Sequence, residues 1–503
     1  MIEAEVHQHL RAFLREQPTP HWSHHLTMAR LVARALRLGR SALIQTGTLT
    51  GFQAPYRLSY LLPLLLWPGS ALLVTLPEVQ QWLLQVEIPR LQQWLPHPKP
   101  IQVSDRWLPD FPGLILTTPD TWLHDRLWQQ GRFPAHLLTL IDGVDDLETW
   151  ARQQLTQVIT PSDWEVLHCV YPAHRDRIRD TQAYLTKVLY HHPANPYDCY
   201  GIDREDQVVL VRLQQLLSCD ACIPLPSPWG AFFQQFQHSQ TLLWAELNRS
   251  HGQFTIACAP AEIASVLSPV WLQQPTVLIG SALDLDSEAS IYRQILGLGD
   301  LTCLKFNPDR QEEGIHLYQP DGIPMPNTPQ FQTSLLRELR YLLQHGGQEG
   351  LAVVVVGDTP LKAQVGSALA AEFGSRVQVE RLGLEANGIL VTGWEFWQRQ
   401  QMHLPTPTCL AIATLPIPSL EHPLVAGRVS YYKQQRQDWF RLYLLPTALM
   451  ELQRAIAPLR ESQGLVALLD SRVLHRSYGQ QVLAALSPFA KIQYLDQLLP
   501  QDW

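Results

Sequence analysis

Short apolar runs that alternate with helical patterns constrain the fold of this chain more than any other feature. Each run ends in Thr, Asp, Gly or another residue that favours turns. In the first third of the chain the runs are Ser41–Gly47, Ala71–Leu76, Leu114–Thr118 and Leu137–Asp142. Short buried strands separated by helices predict a parallel sheet in an α/β domain. Ligands of such sheets bind at the carboxyl ends of the strands, where these runs turn polar.

The same alternation returns in the second half of the chain. A strand pattern reappears at Pro275–Ala282, and it is followed by Leu351–Asp358, Gly388–Gly393, Cys409–Pro416 and Leu465–Asp470. A chain of 503 residues is too long for one compact core. The sequence therefore predicts two α/β domains. The Gln-rich middle, with its helical periodicity, predicts a mainly helical insertion in the first of them.

The predicted domain boundaries lie where the pattern changes. Residues 1–148 form the N-terminal part of the first domain, 149–262 the insertion, 263–304 the return to the first domain, 305–333 an interdomain connection and 334–503 the second domain. The connection is rich in Pro, Asn, Asp and Gly, which favour irregular structure.

Composition and charge narrow the class of protein. With 46% hydrophobic and 17% charged residues, the chain is predicted to be globular rather than disordered. The net charge of -8 does not indicate a nucleic-acid-binding protein, although a local basic groove is compatible with it. Seven scattered cysteines predict a reduced, cytoplasmic protein. The most apolar stretch, Leu58–Leu76, is interrupted by Pro63, Pro68 and Gly69, so we predict no membrane span.

The run QTGTLTGFQ, Gln45–Gln53, follows a strand and precedes a helix, as phosphate-binding loops do. Such a loop needs glycines for close backbone approach, a Lys for the phosphate charge and a hydroxyl for Mg²⁺. The glycines and threonines are in place, and they are Gly47, Thr48, Thr50 and Gly51. However, the Lys position holds Phe52 and the hydroxyl position holds Gln53. An ordinary polar turn is the alternative interpretation.

Further segments follow the loop in an order typical of one family. In the first half they are Leu58–Pro63, Val74–Leu91, Leu114–Leu127, Leu140–Glu148, Val277–Leu285 and Ile291–Leu298. In the second half they are Phe396–Trp397, Leu415–Arg428, Leu445–Arg460 and Gly464–Gly479. Together they resemble the DinG/XPD-type helicases of superfamily 2, with only the insertion unmatched. The resemblance implies two RecA-like P-loop domains with parallel sheets and an arch-like insertion in the first. It also implies ATP, Mg²⁺ and single-stranded nucleic acid as ligands.

The acidic motif of this family is largely replaced. Asp142 keeps the position of the aspartate in Asp-Glu-Ala-His, but Gly143 replaces the glutamate and Asp145 replaces the histidine. A general base contributes roughly 10²–10⁴-fold to a rate, and glycine cannot act as one. The neighbouring acids Asp146 and Glu148 are about one helical turn away, which would misplace them for this role.

The last helicase motif is replaced in a similar way. Gln453 and Arg460 match the family, and Arg454 stands in place of a glycine. Ala457 stands where the family has an arginine, and such an arginine is worth about 10³–10⁵-fold in rate. Pro458 follows directly and predicts that the helix ends there.

Other differences also concern the nucleotide. Trp22 and His25 stand where the family prefers an Arg and a Gln that bind adenine, and Gln398–Gln401 replaces the Glu-Gly-Val-Asp of the fifth motif. Arg57, in an extension after the loop, has two interpretations. It is either a substitute for the missing lysine or a solvated arginine on a helix face, and we favour the second.

We predict no metal site from the cysteines and histidines. Many family members hold an iron–sulfur cluster between the phosphate loop and the acidic motif, but residues 52–142 contain no Cys, so no cluster is expected. Cys219 and Cys222 form a C-x-x-C that, together with Cys169 and Cys199, has enough thiols for zinc or a cluster. Ordinary buried cysteines are the preferred interpretation.

Three functions are compatible with these residues. The first is a non-hydrolysing helicase homologue that binds nucleic acid or acts as a scaffold in DNA or RNA maintenance. The second, implied by the resemblance alone, is an active ATP-dependent DNA helicase. The third is a protein-interaction module with a protein partner and no nucleic-acid role. We expect Phe52 and its neighbours to fill the nucleotide site. An open pocket lined by Gly47, Asp142 and Arg460 would contradict this expectation.

Overall fold

The computed structural model contains three sheets and their surrounding helices. It describes residues 2–16, 22–47, 54–109, 111–219, 223–238, 240–308, 314–345 and 350–493. The strands are β1 Ala42–Gln45, β2 Ala71–Val74, β3 Ile101–Val103, β4 Leu114–Thr117, β5 Leu138–Asp142, β6 Gln157–Ile159, β7 Cys199–Gly201, β8 Thr241–Asn248, β9 Gln253–Pro260, β10 Thr276–Gly280, β11 Thr302–Lys305, β12 Ile315–Tyr318, β13 Leu351–Val355, β14 Val377–Val379, β15 Ile389–Thr392, β16 Pro407–Ile412, β17 Leu465–Leu468 and β18 Phe489–Ile492.

The helices cover both parallel sheets and fill the insertion. They are α1 Ile2–Glu16, α2 His25–Leu38, α3 Arg57–Leu66, α4 Pro77–Trp82, α5 Ile88–Gln92, α6 Pro119–Trp128, α7 Leu147–Leu155, α8 Pro161–Val170, α9 Arg175–His191, α10 Arg204–Ser218, α11 Ser227–Phe236, α12 Ala264–Gln273, α13 Ser290–Leu296, α14 Phe331–His345, α15 Thr359–Phe373, α16 Trp394–Gln400, α17 Pro423–Gln434, α18 Leu445–Glu461, α19 Arg472–His475 and α20 Gly479–Leu486. π-helical turns Leu83–Glu87 and Phe440–Leu444 precede α5 and α18.

The first sheet is parallel and seven-stranded, in the order β11-β1-β10-β5-β2-β4-β3. Strands β1, β2 and β4 are buried along their whole length because helices cover both faces of the sheet. In register, Gln45 pairs with Gly280, and Ile279 pairs with Asp142. The carboxyl ends of β1, β10 and β5 therefore meet at one edge, as the sequence pattern predicted.

The second sheet is also parallel and seven-stranded, in the order β14-β15-β13-β16-β17-β12-β18. Two parallel-sheet α/β domains are thus present, which confirms the predicted fold class. Strand β12 lies within residues 305–333, the segment predicted to connect the domains. This segment is more than a connection because it contributes a strand to the second sheet.

The insertion contains a sheet that the sequence analysis did not predict. Its four strands are antiparallel in the order β6-β9-β8-β7, and helices α8 to α11 pack around them. The core of the insertion is aromatic, with the rings of Trp164 and Trp229 in edge-on contact at 4.7 Å. The insertion therefore has its own hydrophobic core.

Two further findings concern helices. Within the described ranges, no helix combines the length and apolar character that crossing a bilayer requires. Helix α18 continues through Pro458 to Glu461, so the prediction that Pro458 ends the helix is wrong. The buried neighbours Leu452, Ala455 and Leu459 pack into the core of the second domain, and this packing outweighs the lost backbone hydrogen bond.

Candidate nucleotide site and the cleft between the two domains

Asp142, the last residue of β5, has both carboxylate oxygens engaged by side chains at the start of α3. The Tyr56 hydroxyl donates to Oδ1 at 2.7 Å. Arg57 Nε donates to Oδ2 at 2.7 Å, and the Tyr60 hydroxyl donates to the same oxygen at 2.9 Å. Arg57 and Tyr60 are spaced i and i+3 on the first turn of α3, and Tyr56 is the N-cap residue, four positions before Tyr60. Asp142 is therefore part of a fully hydrogen-bonded cluster.

This cluster is buried, and the charges of Asp142 and Arg57 offset each other within it. Arg57 is 2% exposed. Burial lowers the pKa of Arg57, but the charge and hydrogen bond of Asp142, together with Tyr56 and Tyr60, outweigh burial and the net pKa is raised. Burial, followed by the charge of Asp142, raises the pKa of Tyr56 and Tyr60 well above the usual value, so both remain hydroxyl donors. The prediction that Arg57 is solvated is wrong, because its guanidinium pairs with the acidic-motif carboxylate.

The space left beside Asp142 is small. A cavity of about 40 Å³ is lined by Arg57, Thr75, Leu76, Val79, Asp142, Gly143, Asp145 and Asp146. A water molecule occupies about 30 Å³, whereas ligand sites measure roughly 300–1,000 Å³. Among the described residues, neither Gly47 nor Arg460 lines this cavity. Phe52, expected to fill the site, lies outside the described residues.

Asp145, at the position of the family's histidine, holds the loop that follows β10. Its Oδ1 accepts hydrogen bonds from Ser281 Oγ at 2.7 Å and from Ala282 N at 3.0 Å, and Oδ2 accepts from Ser281 N at 2.9 Å. The preceding Gly143 adopts φ +83°, a left-handed conformation that favours glycine. Asp145 thus binds backbone and hydroxyl groups of its own domain.

Of the four predicted phosphate-binding residues, the structure describes Gly47. It has φ +69°, and a Cβ added there would lie 2.5 Å from the carbonyl oxygen of Phe306. Its N–H donates to the Ser281 carbonyl at 3.0 Å. Only glycine fits this close approach. The other predicted loop residues, Thr48, Thr50, Gly51, Phe52 and Gln53, lie outside the described residues.

Aromatic rings gather around the two residues expected near adenine. The Trp22 ring lies 5.3 Å from His25 and 5.4 Å from Phe306, and His24 stacks on Phe306 at 4.9 Å. His25 Nδ1 shares a hydrogen bond with Ser59 Oγ at 2.9 Å. Trp22 and His25 are buried. These side chains therefore pack against one another where the resemblance places a base.

Two ion pairs join the acidic motif to the second domain. Arg454 donates to both carboxylate oxygens of Asp146, at 2.7 and 3.3 Å. Arg428 donates to Glu148 Oε1 at 2.6 Å, and Arg152 donates to the same oxygen at 2.8 Å. Sequence reasoning missed both pairs. The only signal was the replacement of a family glycine by Arg454.

Neighbouring groups stabilise the ion pair between Glu148 and Arg428. Burial raises the pKa of Glu148, but Arg428 and then Arg152 outweigh it, and the net pKa is lowered. The Arg428 guanidinium also lies 3.8 Å from the centre of the Tyr443 ring. A cation over an aromatic face gains electrostatic attraction. The carboxylate therefore stays ionised between two arginines.

The other predicted residues of the last motif do not reach Asp142. Arg460 donates to the carbonyls of Leu486 at 3.0 Å and Ser487 at 2.8 Å, at the end of α20 in its own domain. Gln453 and Ala457 are half-buried on α18. The structure therefore brings Asp142 together with Arg57, not with Arg460.

The cysteines of the insertion do not form a cluster among the described residues. Cys169 and Cys219 are exposed, whereas Cys199 is buried and burial raises the pKa of its thiol to about 12. Cys222 lies outside the described residues. No three His, Cys, Asp or Glu side chains in the described part of the chain are close enough to hold a metal.

Parts of the sequence are similar to known helicases. Residues 383–489 match the helicase C-terminal domain family. The ATP-dependent DNA helicase YoaA of Escherichia coli K12 is 22% identical over 263 residues, which cover 49% of this chain and 40% of YoaA. YoaA of Haemophilus influenzae is 23% identical over 141 residues, covering 27% of this chain and 22% of that protein. The chain thus spans less than half the length of these curated relatives.

The fold as a whole matches solved XPD structures. Xpd4 of S. tokodaii superposes with a TM-score of 0.60 at 13% identity, over 94% of this chain and 100% of that structure. A structure titled XPD apo superposes with a TM-score of 0.59 at 12% identity, over 93% of this chain and all of that one. At this level of identity the superpositions establish the fold alone.

Proposed function

We propose that this chain, a homologue of the DinG/XPD-type superfamily 2 helicases, binds nucleic acid as a scaffold and does not hydrolyse ATP. The observation that carries the proposal is the state of Asp142. Its carboxylate is the family's Mg²⁺-binding group, and here Arg57, Tyr56 and Tyr60 engage both of its oxygens.

A magnesium ion does not fit this arrangement. Mg²⁺ demands near-ideal octahedral coordination by oxygen and keeps several waters. The cavity beside Asp142 measures about 40 Å³, and Arg57 already places a positive charge 2.7 Å from the carboxylate. Displacing one partner of a buried ion pair costs about 3–5 kcal/mol. We therefore assign no catalytic step to a metal or nucleotide at this site.

The other residues of the family motifs do not supply the missing chemistry. Gly143 offers no base. Asp145 accepts hydrogen bonds from Ser281 and Ala282, so its carboxylate already has partners. Arg460 donates to carbonyl groups of its own domain. These contacts support a structural role for the former acidic motif.

The ion pairs across the cleft also support a protein that does not hydrolyse ATP. Domain closure around a ligand requires the interface to separate and close again. Here Arg454 binds Asp146, and Arg428 binds Glu148, so the charged groups that line the cleft neutralise one another. A cleft held in this way supports a fixed arrangement of the two domains.

A hydroxyl-lined groove in the first domain supports binding of nucleic acid. It lies at the carboxyl ends of β3 and β4 and has a volume of about 390 Å³. Its lining residues are Gln102, Val103, Ser104, Asp105, Arg106, Leu108, Thr117, Thr118 and Thr121. Thr117 Oγ1 is buried and has no partner among the described residues. Hydroxyl groups and arginines are common contacts of phosphate oxygens.

The first experiment is ATP turnover by the purified chain, with and without single-stranded DNA. We expect no turnover and salt-sensitive binding of a fluorescent oligonucleotide at two salt concentrations. DNA-stimulated turnover that Asp142→Ala abolishes would overturn the loss of hydrolysis. Absence of DNA binding would overturn the nucleic-acid role and point to the protein-interaction hypothesis.

A second variant tests the hydroxyl groove. Arg106→Gln removes an exposed positive charge of this groove, so we expect weaker DNA binding and a shallower salt dependence. Arg11→Gln, at an exposed position on α1, is the matched control. Equal DNA affinity of the two variants would exclude this groove from binding.

A further inference from the structure

Helix α17 of the second domain packs against the sheet of the insertion through its first two turns. A Cβ added to Gly427 of this helix would lie 2.7 Å from Leu242 of β8. Leu424 packs against a small apolar cluster of the insertion that contains Cys199 and Trp244. Because this apolar contact is small, polar groups at the start of α17 contribute appreciably to the stability of the junction.

His422 lies at this junction as the N-cap residue of α17. Its Nδ1 accepts a hydrogen bond from the Leu424 N–H at 3.3 Å, so the neutral ring carries its proton on Nε2. Pro423 follows it and has no N–H, and the Ala426 N–H donates to the His422 carbonyl at 3.0 Å. In the first helical turn, the N–H groups of Leu424 and Val425 therefore remain to be satisfied, and His422 satisfies the first.

The same ring contacts the insertion directly. The centre of the His422 ring lies 4.8 Å from the centre of the Tyr197 ring, in the turn before β7. The next residue is also close to the insertion, since a Cβ added to Gly201 of β7 would lie 3.9 Å from Cβ of Pro423. One side chain therefore caps α17 and contacts the insertion at the same time.

The surroundings of His422 favour its neutral form. Burial lowers the pKa of His422 and outweighs the charges of Glu246 on β8 and Glu395 on α16, so the net pKa lies below the ordinary value of 6.5. Each of these carboxylates has another partner. Glu246 accepts a hydrogen bond from Trp244 Nε1 at 3.2 Å. Glu395 pairs with Arg399 at 2.7 Å.

A protonated ring at this position is incompatible with the cap. It donates from both nitrogens, so its Nδ1–H would point at the Leu424 N–H. It would also place a positive charge at the positive end of the α17 dipole. The carboxylate of the preceding Glu421 is exposed, so its attraction is screened by solvent. The stabilising contribution of the neutral ring is therefore complete above pH 6.5 and is lost as pH falls below that value through the folded-state pKa.

We propose that His422 is a pH-sensitive switch that holds the insertion against the second domain while its ring is neutral and releases it on protonation. Loss of the cap frees the first turn of α17, which carries the contacts with β7 and β8. Helix α17 forms one wall of a groove of about 940 Å³ whose other walls are β7, β8 and α10, so release widens this groove. The switch operates whether or not the chain binds nucleic acid.

Hydrogen exchange of the full chain at about pH 7.5 and about pH 5.5 tests the switch. His422→Asn keeps a capping acceptor but cannot be protonated. At the lower pH the wild-type chain should exchange about five-fold faster than His422→Asn, both at Pro423–Gln434 and at Cys199–Gly201. At the higher pH the two should exchange equally. Comparing both chains at one pH cancels the intrinsic pH dependence of exchange, and His136→Asn, at an exposed position in the first domain, should behave as the wild-type chain does.

His422→Ala separates loss of the cap from protonation. It removes the acceptor at every pH, so exchange at α17 should already be faster than in the wild-type chain at about pH 7.5. Thermal unfolding at that pH verifies that the variants fold. Equal exchange of the wild-type chain and His422→Asn at about pH 5.5 would overturn the switch. Faster exchange at α17 without a change at Cys199–Gly201 would show a helix end that frays while the insertion stays in place, and this would overturn it as well.

Discussion

A carboxylate removed from water has to be compensated, and Asp142 receives its compensation from three neighbours on one helix start. Arg57 supplies the charge, and Tyr56 and Tyr60 supply the remaining hydrogen bonds. Buried pairs of this kind contribute little net stability compared with an apolar core, but they fix geometry strongly. Here the cluster fixes how the start of α3 packs against the carboxyl end of β5.

Arg57→Met tests this arrangement by removing one partner only. The uncompensated carboxylate should lower the free energy of unfolding by about 3–5 kcal/mol. Arg340→Met, which breaks an exposed pair with Glu372, should cost about 0–1 kcal/mol. Urea unfolding followed by circular dichroism measures both changes. A loss for Arg57→Met no larger than that of the control would contradict the role of the ion pair.

The sequence identified Asp142 and its missing partners but did not predict its new ones. Gly143 and Ala457 are recognisable as replacements because the family motifs have a glutamate and an arginine at these positions. Arg57 lies in an extension that no motif covers, and its exposure depends on how α3 meets β5. An arginine near a helix start is usually solvated, so the sequence favoured the wrong alternative.

At the scale of elements, α18 shows packing overriding local preference. Pro458 is less favourable in a helix interior than Ala by about 3 kcal/mol. The helix nevertheless continues to Glu461 because Leu452, Ala455, Ile456 and Leu459 are buried against the second sheet. Tertiary contacts therefore set the end of this helix.

Pro458→Ala should restore a backbone hydrogen bond at the expense of some buried ring surface. The gain of about 3 kcal/mol in propensity, less about 1–2 kcal/mol of lost burial, predicts a free energy of unfolding higher by about 1–2 kcal/mol. Pro360→Ala, in the first turn of α15 where proline is tolerated, should change it little. A destabilised Pro458→Ala variant in urea unfolding would show that the proline ring matters more than the hydrogen bond.

Buried parallel strands were predictable, whereas short edge strands and the sheet of the insertion were not. Leu351–Val355 is apolar throughout, and Ile389–Thr392 is apolar up to its final threonine, so both stand out against polar turns. Strand β8, TLLWAELN, has polar residues among its apolar ones, and its neighbours are Gln-rich helices. Strands of three residues, such as β7 and β14, carry too few side chains for a periodic signal.

At the scale of the whole molecule, charge pairs across the cleft relate the two α/β domains. Asp146 and Glu148 lie on the first domain, and Arg454 and Arg428 lie on the second, 308 and 280 residues later in the chain. No local pattern predicts such partners, because they depend on the relative orientation of the domains. The sequence predicted both domains but not this contact.

The Glu148 pair predicts a specific response to acid. The folded-state pKa of Glu148 lies below its ordinary value of 4.5, so its contribution to stability is present above that pH and is lost as pH falls through the folded-state pKa. The difference in free energy of unfolding between the wild-type chain and Glu148→Gln should therefore be largest near pH 7 and shrink below about pH 4. Glu395→Gln, at an exposed pair with Arg399, should follow the wild-type profile. A difference that stays constant from pH 7 to pH 3 would contradict an ionised, paired Glu148.

Removing both cleft arginines should release the domains from one another. In Arg428→Met with Arg454→Met, Glu148 keeps Arg152 but loses the second domain, and Asp146 loses its bidentate partner. Hydrogen exchange at Val144–Leu155 and at α17 should become about ten-fold faster, which corresponds to about 1.4 kcal/mol. Arg340→Met with Arg399→Met, which breaks two exposed pairs within the second domain, should leave exchange there unchanged. Adding Mg²⁺ and ATP should alter exchange in neither chain, because the charges that would respond to nucleotide already bind each other. Nucleotide-dependent protection of the cleft in the wild-type chain would instead mean that the cleft still opens and binds ATP.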